Sequence, residues 1–148
     1  MILKKKLNKV VSILIFYKHK ILLQLRDINK SIPYPGKWGF ISGNLEGCES
    51  PLIAAKRELR EELQIKNFEN INFLDNFVSR KNENILYYVF TLNLNYTSQL
   101  MLKEGIEYSF FSKTDFLKGY KYSKELKKIC FLADNPVMKK FYFKSIKI

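Results

Sequence analysis

Residues 43–65 read GNLEGCESPLIAAKRELREELQI. Within this stretch the side chains of Glu58, Glu61 and Glu62 stand at positions i, i+3 and i+4. On a helix of about 3.6 residues per turn, this spacing puts all three on one face. Three like charges so close together repel one another unless a cation lies among them, and clustered hard oxygens are the ligands that Mg²⁺ and Mn²⁺ select. The stretch therefore predicts a helix that carries a divalent metal site.

The ends of this helix can be predicted from the residues around the carboxylates. Ser50 is a favourable N-cap and Pro51 suits the first helical position, so the helix is expected to run from there to about Leu63. Apolar residues spaced three and four apart are expected to face the core: Leu52, Ala55, Leu59 and Leu63. Without its neighbours the glutamate cluster would be read as a solvated helix face, so the metal interpretation depends on the flanking sequence.

The flanking sequence resembles the Nudix box, whose pattern is G-x5-E-x7-R-E-U-x-E-E-x-G-U, where U is a bulky aliphatic residue. Six of the seven fixed positions match, beginning with Gly43 and Glu49, and both U positions match as well. Gln64 stands where the family has its second glycine. The resemblance implies an α/β protein with the Nudix fold, which is an α/β/α sandwich with a mixed β-sheet and the box as a loop–helix–loop.

The resemblance also implies a set of metal ligands. They are Glu58, Glu61 and Glu62 together with the backbone carbonyl of Ser42, and one glutamate serves as base for the attacking water. Which glutamate is the base stays open. Outside the box, Glu104 lies in a segment that resembles the one supplying an extra metal-binding or basic glutamate in MutT-like members. The alternative for Glu104 is an ordinary surface turn.

Three further box residues are expected to support this site. Arg57 lies four residues before Glu61 and can pair with its carboxylate, which would orient it for catalysis. Glu49 is expected to support the loop or the metal shell, and Gly43 to let the loop turn tightly. A glycine at the position of Gln64 commonly takes a left-handed conformation, so its replacement is expected to weaken the helix end by about 1 kcal/mol.

Candidate substrate contacts lie outside the box. Arg26 follows the second strand of a predicted hairpin and could meet a phosphate or form a salt bridge. Trp38 is a candidate for base stacking, although packing is the favoured interpretation. Asp134 and Asn135 resemble the loop that contacts the nucleobase edge in MutT-like members, with a plain helix cap as the alternative.

The remaining sequence predicts alternating strands and helices. Val10 to Tyr17 and Ile21 to Leu25 form the predicted hairpin, and a short helix is expected with either Thr114 or Ser123 as its cap. Further strands and a final basic, aromatic segment are expected at the following ranges: 71–79, 85–94, 107–111 and 137–143. Neither a repeat nor a linker is seen, so a single domain over residues 1–148 is expected.

Composition limits the class of protein. The chain is 47% hydrophobic and should fold, and no apolar run approaches the ~20 residues that span a bilayer, so no membrane partner is expected. Cys48 and Cys130 are too few for a disulfide framework, which predicts a cytoplasmic protein. The net charge of +12 comes mostly from lysines spread along the chain. Such spreading favours a coding bias over attraction of polyanions, so nucleic acid is a less favoured partner.

The function that the resemblance implies is hydrolysis, dependent on Mg²⁺ or Mn²⁺, of a nucleoside diphosphate linked to another group. A MutT-like nucleoside triphosphate pyrophosphohydrolase is favoured, with oxidised nucleotides among the candidate substrates and a monomer or homodimer as the expected state. Nucleotide sugars, ADP-ribose and dinucleoside polyphosphates stay open. Two alternatives are an RNA 5′ pyrophosphohydrolase and a non-catalytic module that binds nucleotide or nucleic acid. The complete glutamate set argues against the non-catalytic module.

Overall fold

The computed structural model describes residues 7–29, 31–79 and 84–146. The strands in chain order are β1 Asn8–Tyr17, β2 Lys20–Leu25, β3 Trp38–Gly39, β4 Ile41–Asn44, β5 Ile71–Ser79, β6 Ile85–Asn93, β7 Glu107–Phe111, β8 Tyr120–Ser123 and β9 Lys128–Phe131. The helices are α1 Pro51–Leu63, α2 Lys113–Lys118 and α3 Pro136–Ile146. No helix in this described part of the chain is long and apolar enough to cross a bilayer.

The main sheet is mixed and is organised around β1. One edge of β1 pairs in parallel with β6, which in turn pairs antiparallel with β5. The other edge is shared, because β4 pairs with the first half of β1 and β2 pairs with its end. β2 extends the sheet through antiparallel pairing with β3 and β7. β8 and β9 form a separate two-stranded ribbon.

The two faces of the sheet bury different helices. Alternate side chains of β1 point to opposite faces, as the pleat of a strand requires. Val11, Ile13 and Ile15 belong to the apolar cluster that contains the buried face of α1, and Leu14 belongs to the cluster on the other side. That second cluster includes residues of α2 and α3: Phe116, Val137, Met138 and Phe141. The expected α/β/α sandwich is therefore confirmed.

The predicted hairpin and box helix are present, with one error in the helix face. The hairpin turn has both Lys18 and His19 at positive φ, 46° and 63°, which is the geometry of a two-residue type I′ turn. Ser50 caps α1 by accepting a hydrogen bond from the amide of Ile53 at 3.2 Å. Leu52 was expected in the core but is 39% exposed, and Ala54 is buried instead. The helix therefore meets the sheet through smaller side chains than the spacing predicted.

The cap of the second helix was also placed wrongly. Ser112 is the N-cap of α2, and it forms a capping box in which its hydroxyl accepts from the amide of Asp115 while the Asp115 carboxylate accepts from the amide of Ser112. Thr114 lies inside α2 and Ser123 ends β8. The aspartate three residues after Ser112 was the signal that distinguishes the true cap.

Gln64 ends α1 in the left-handed region, at φ 58° and ψ 26°. We expect Gln64→Gly to raise the free energy of unfolding by about 1 kcal/mol, because glycine has no Cβ to clash in this conformation. Chemical denaturation of both proteins measures this difference. Catalytic constants should stay unchanged, since Gln64 is absent from the cavity described below. An unchanged or lower stability would show that the left-handed residue is not strained.

Candidate metal and phosphate site

A cavity of about 540 Å³ opens where α1, β4, the end of β2 and the start of α3 meet. Most of the predicted site residues line it, and they come from five separate parts of the chain: Arg26, Ser42, Gly43, Arg57, Glu58, Glu61, Glu62, Glu104 and Asn135. The fold therefore brings together residues that lie more than 100 positions apart in the sequence. Its volume falls within the range of about 300–1,000 Å³ that is usual for small-molecule sites.

The three helix carboxylates differ in exposure. Glu58 and Glu62 are buried, at 8% and 6% exposed, because α1 turns them toward β4 and the loop before β7. The Glu61 side chain is 51% exposed and lies at the mouth of the cavity. Ser42 lies in β4 with extended backbone, and its hydroxyl hydrogen-bonds the hydroxyl of Ser12 at 3.0 Å. Ser42 does not have a positive φ, so its side chain causes no backbone strain here.

Gly43 is needed for a different reason from the one expected. It lies within β4 and does not have a positive φ, so it does not form a tight turn. Its missing side chain leaves room for the Glu58 carboxylate, since a Cβ at position 43 would overlap the carboxylate carbon and oxygens. The expectation of a turn glycine is therefore corrected to one of close approach between strand and carboxylate.

We expect Gly43→Ala to lower kcat/KM ten- to hundredfold while the protein still folds, because the added methyl group must displace the Glu58 carboxylate by an ångström or more. Steady-state kinetics and a thermal melt would measure the two effects separately. Gly47→Ala is the control for steric overlap, since a Cβ there would meet no atom within 4 Å; its φ of 52° costs stability, which the melt records separately from the kinetics. Equal kinetic losses in both variants would contradict this explanation.

Arg57 links the box loop to the carboxylate helix. Its Nε and Nη2 donate to the two oxygens of Glu49 at 2.7 and 3.0 Å, which makes a bidentate pair. Its Nη1 donates to Glu58 at 2.8 Å and to Glu61 at 3.2 Å, and Nη2 also donates to the carbonyl of Asn44. The hydrogen bond from Arg57 holds the pKa of Glu49 below its ordinary value. The predicted pairing with Glu61 is thus present, but Glu49 is the principal partner.

Glu62 is the most perturbed acid of the site. Burial, and after it the charges of Glu58 and Glu104 and a hydrogen bond to Glu104, raise the pKa of Glu62 to about 9. Burial also raises the pKa of Glu58, although the hydrogen bond from Arg57 opposes it. The Oε2 atom of Glu62 is buried and has no hydrogen-bond partner among the described residues. Buried polar atoms without partners are rare, so this oxygen faces a place that a ligand would fill.

These carboxylates have the chemistry that a hard divalent cation requires. A cation would remove the mutual repulsion of Glu58, Glu62 and Glu104 and would give Oε2 of Glu62 its missing partner. In the described part of the chain, no three His, Cys, Asp or Glu side chains already converge as a metal-binding group. These carboxylates are therefore donors of the chemical type that binds Mg²⁺. Movement of their side chains would be needed to bring them together around the ion.

Glu104 is held beside this helix by its loop. The amide of Lys103 donates to the carbonyl of Glu62 at 2.8 Å, and the amide of Met101 donates to that of Leu63 at 3.1 Å. From the other side, the Nε2 atom of Gln24 donates to the carbonyl of Glu104 at 2.8 Å. No role was predicted for Gln24, although it lies on the strand that the resemblance puts beside the cleft. The sequence feature that could have indicated a role for Gln24 is its polar side chain within the apolar run of β2.

Only some of the residues expected to contact the substrate line the cavity. Arg26 and Asn135 line the cavity, and the Nε atom of Arg26 donates to the carbonyl of Pro33 at 2.7 Å. The Asn135 side-chain oxygen also caps α3 by accepting from the amide of Met138 at 2.8 Å. Asp134 does not line this cavity, and its carboxylate is exposed and pairs with Lys139 at 3.2 Å.

Trp38 does not fit the expected contact with substrate. Its side chain is fully buried and packs edge-on against Phe111, with ring centroids 5.2 Å apart. Its indole N–H donates to the carbonyl of Lys121 at 3.3 Å. The packing alternative is therefore the correct one, because a base has no access to either face of the indole.

A second, larger cavity of about 1,180 Å³ adjoins the first. The two share Pro33, Tyr34, Asn44 and Tyr87 in their walls. The second is also lined by the box loop, including Cys48 and Glu49, and by the start of β1. The two cavities therefore adjoin each other at these four residues.

Comparison with known proteins identifies the class. The NUDIX domain profile matches residues 6–129. The Nudix domain of Shewanella oneidensis NrtR, solved with ADP-ribose, matches with a TM-score of 0.70 and 16% identity over 95% of this chain and 89% of that one. The MutT protein of Methanosarcina mazei Go1 gives a TM-score of 0.61 at 25% identity, over 84% of this chain and 91% of that one.

A MutT/nudix family protein from Enterococcus faecalis also matches, with a TM-score of 0.62 and 20% identity. The match covers 75% of this chain and 46% of that one, so the chain spans about half the length of this relative. No curated protein matches the chain.

Since the profile covers most of its length, the chain belongs to the NUDIX family. It is an enzyme of the pyrophosphohydrolase class. Enzymes of this family generally use divalent metals.

Proposed function

We propose that this protein hydrolyses nucleoside diphosphate-linked compounds with Mg²⁺ or Mn²⁺, and that nucleoside triphosphates, oxidised ones included, are its preferred substrates. The observation that carries the proposal is the placement of Glu58, Glu61, Glu62 and Glu104 around one nucleotide-sized cavity. Arg26 lines the same cavity and supplies a positive charge for phosphate. Acidic groups beside a basic one suit a substrate that brings phosphates together with bound cations.

We assign the residues the following roles. Glu58 and Glu62, with Glu61 and Glu104 nearer the surface, would hold the divalent ion. When bound, that ion offsets the negative charge that develops on phosphate oxygens as a P–O bond breaks. Arg57 fixes the orientation of Glu58 and Glu61 through its own hydrogen bonds.

In the proposed reaction, the oxygen of a water molecule forms a bond to a phosphorus of the substrate. The P–O bond to the leaving phosphate breaks, and the electron pair of that bond stays with the leaving oxygen. The proton lost by water passes to a glutamate of the site. For a nucleoside triphosphate, the products are a nucleoside monophosphate and pyrophosphate.

The adjoining cavity favours a second candidate class. Compounds such as ADP-ribose or dinucleoside polyphosphates carry another nucleoside or a sugar beyond the phosphates, and this group needs room of its own. The second cavity shares walls with it at Tyr34 and Tyr87 and would hold such a group. An ADP-ribose complex of a structural neighbour supports keeping this class.

Product release with Mg²⁺ and with Mn²⁺ tests the proposal across a substrate panel. The panel contains normal and oxidised nucleoside triphosphates, ADP-ribose, nucleotide sugars, diadenosine polyphosphates and 5′-triphosphate RNA. We expect one triphosphate to exceed the other classes by about a hundredfold in kcat/KM, which corresponds to about 3 kcal/mol of transition-state binding. A preference for ADP-ribose or a dinucleoside polyphosphate would assign the protein to the second substrate class. Absence of turnover on every substrate of the panel would overturn the proposal.

A further inference from the structure

The ribbon formed by β8 and β9 has its polar and apolar faces reversed. A two-stranded ribbon normally packs its apolar face on the core and turns its polar face to water. Here the apolar side chains form the outer ribbon face, which consists of Tyr120, Tyr122, Ile129 and Phe131. They are 38%, 56%, 51% and 56% exposed, respectively. An exposed apolar surface of this kind marks a binding site more often than chance.

The pairing register puts the four side chains side by side. Tyr120 pairs with Phe131 and Tyr122 pairs with Ile129, so all four project from the same side of the ribbon. The rings of Tyr120 and Phe131 touch edge to face, with centroids 5.9 Å apart. Along β8 the two tyrosines are separated by about 6.6 Å, which is the rise of two strand residues.

The inner face of the ribbon is fixed to the protein by polar contacts. Ser123 is fully buried and donates to the Glu107 carboxylate at 2.7 Å. The Nζ atom of Lys121 donates to the carbonyl of Phe110 at 2.8 Å and lies 3.6 Å from Asp115. Cys130 is buried against the core. These contacts hold the ribbon in place and leave the outer ribbon face free for a partner.

Lysines are frequent in the segment that contains the ribbon. Residues 113–131 contain six lysines but only Asp115 and Glu125 as acids. Within the described residues, Lys124 and Lys127 lie exposed in the turn between β8 and β9 and form no salt bridge, whereas the register puts Lys121 and Lys128 on the inner side. The Nζ atom of Lys37 lies over the Phe131 ring, 5.9 Å from its centroid. The surface therefore combines exposed aromatic rings with a local excess of positive charge.

We propose that the outer ribbon face binds single-stranded RNA, with bases stacked on its aromatic rings and phosphates beside its lysines. Aromatic platforms flanked by basic side chains bind single strands because each base offers a face for stacking and each phosphate a negative charge. RNA is the polymer whose bases are commonly unpaired and free to stack on protein rings. A second copy of the chain fits less well, because a two-fold interface would place these lysines against one another.

The position of the ribbon places such an RNA close to the cavity. β9 leads directly to Ala133, whose amide donates to the carbonyl of Trp38 at 2.7 Å, and then to Asn135 in the cavity wall. Four residues separate Phe131 from Asn135, so about 14 Å of chain at most lies between them. The ribbon is therefore anchored close to the cavity wall, and binding to the ribbon does not require turnover.

Fluorescence anisotropy of a labelled single-stranded RNA of mixed sequence tests the proposal. The full chain is used in EDTA so that no metal-dependent hydrolysis occurs. We expect Tyr122→Ala and Phe131→Ala each to weaken binding about tenfold, as loss of one stacked base does. Tyr96→Ala is the matched control, since Tyr96 is 47% exposed and lies outside the ribbon, and it should change affinity less than about twofold.

The contribution of the lysine charges to RNA binding is measured from the salt dependence of the binding constant. The double substitution Lys124→Gln and Lys127→Gln should reduce the slope of log K against log salt by about 1.4, since each phosphate contact on a single strand contributes about 0.7. Replacing the exposed Lys66 in the same way should leave the slope unchanged. Duplex RNA of the same length should bind at least about tenfold more weakly, because its bases are stacked on one another.

Three outcomes would overturn the proposal: equal losses in the ribbon and control variants, equal affinity for duplex and single strand, or a dimer in sedimentation that Tyr122→Ala dissociates. The last would assign the surface to self-association. Thermal melts and hydrolysis of a small nucleotide by Tyr122→Ala should match those of the unchanged protein. Failure of RNA binding is thereby distinguished from failure of the proposed hydrolysis.

Discussion

Glu58→Gln lowers kcat/KM for the preferred substrate by about three orders of magnitude. The substitution keeps the shape of the side chain but removes the negative charge that would hold the divalent ion. Glu58 is buried against Gly43, so the glutamine side chain is held in the same place but without a charge. The expected loss is of the size seen when a group acting directly in the reaction is removed.

Steady-state kinetics at saturating Mg²⁺ measures this loss, and calorimetry with Mn²⁺ measures the accompanying weakening of metal binding. Glu69→Gln is the control, because Glu69 is exposed and lies outside the cavity, so this substitution removes the same charge away from the site. A Glu58→Gln enzyme that retains a tenth or more of the activity would remove Glu58 from the proposed metal site. Unchanged substrate binding combined with absent turnover agrees with the proposal.

Glu62→Gln stabilises the protein without metal and abolishes its stabilisation by metal. Because burial raises the pKa of Glu62 to about 9, the folded protein binds this proton more tightly than the unfolded chain, whose glutamate has an ordinary pKa. Below the ordinary glutamate pKa of 4.5, the carboxyl is protonated in both the folded and the unfolded state, so its ionisation does not affect the free energy of unfolding. As pH rises above that value, the unfolded chain ionises first and stability falls until the folded group also ionises near pH 9.

Glutamine does not ionise, so the stability of the variant does not fall with rising pH in this way. In EDTA at pH 8, the melting temperature of the variant should therefore exceed that of the unchanged protein by several degrees. Mg²⁺ binds the ionised form and should raise the melting temperature of the unchanged protein, increasingly at higher pH. The variant should not respond. Melts in EDTA and in Mg²⁺ between about pH 5 and 10 test both parts. Parallel pH profiles for the two proteins would disprove the buried-acid explanation.

The sequence was sufficient for the parts of the fold that local patterns determine. The hairpin, the box helix and the strands β5, β6 and β7 were predicted within a few residues, because each has its own periodicity and end signals. The candidate site residues also converged on one cavity, although they come from distant segments. A motif with fixed spacing specifies the helix face, and the sheet then determines what that face meets.

The errors arose where tertiary contacts decide between two local possibilities. An isolated tryptophan can stack on a ligand or pack in a core, and only its neighbours Phe111 and Lys121 place Trp38 in the core. The ribbon β8–β9 was missed because its apolar residues face water and its polar residues face the protein, which reverses the usual pattern. Gly43 was correctly singled out for the wrong reason, since strand backbone and Glu58 approach each other only in three dimensions.

The loop that carries Glu104 is hydrogen-bonded to the last carbonyls of α1 through the amides of Met101 and Lys103. These two amides are therefore exchange reporters for the acidic site. Hydrogen–deuterium exchange at Met101 and Lys103 occurs only when the loop leaves the helix, so its rate measures how often Glu104 separates from Glu62. A ligand that joins the two carboxylates would slow exchange at both positions together, even when no product is formed.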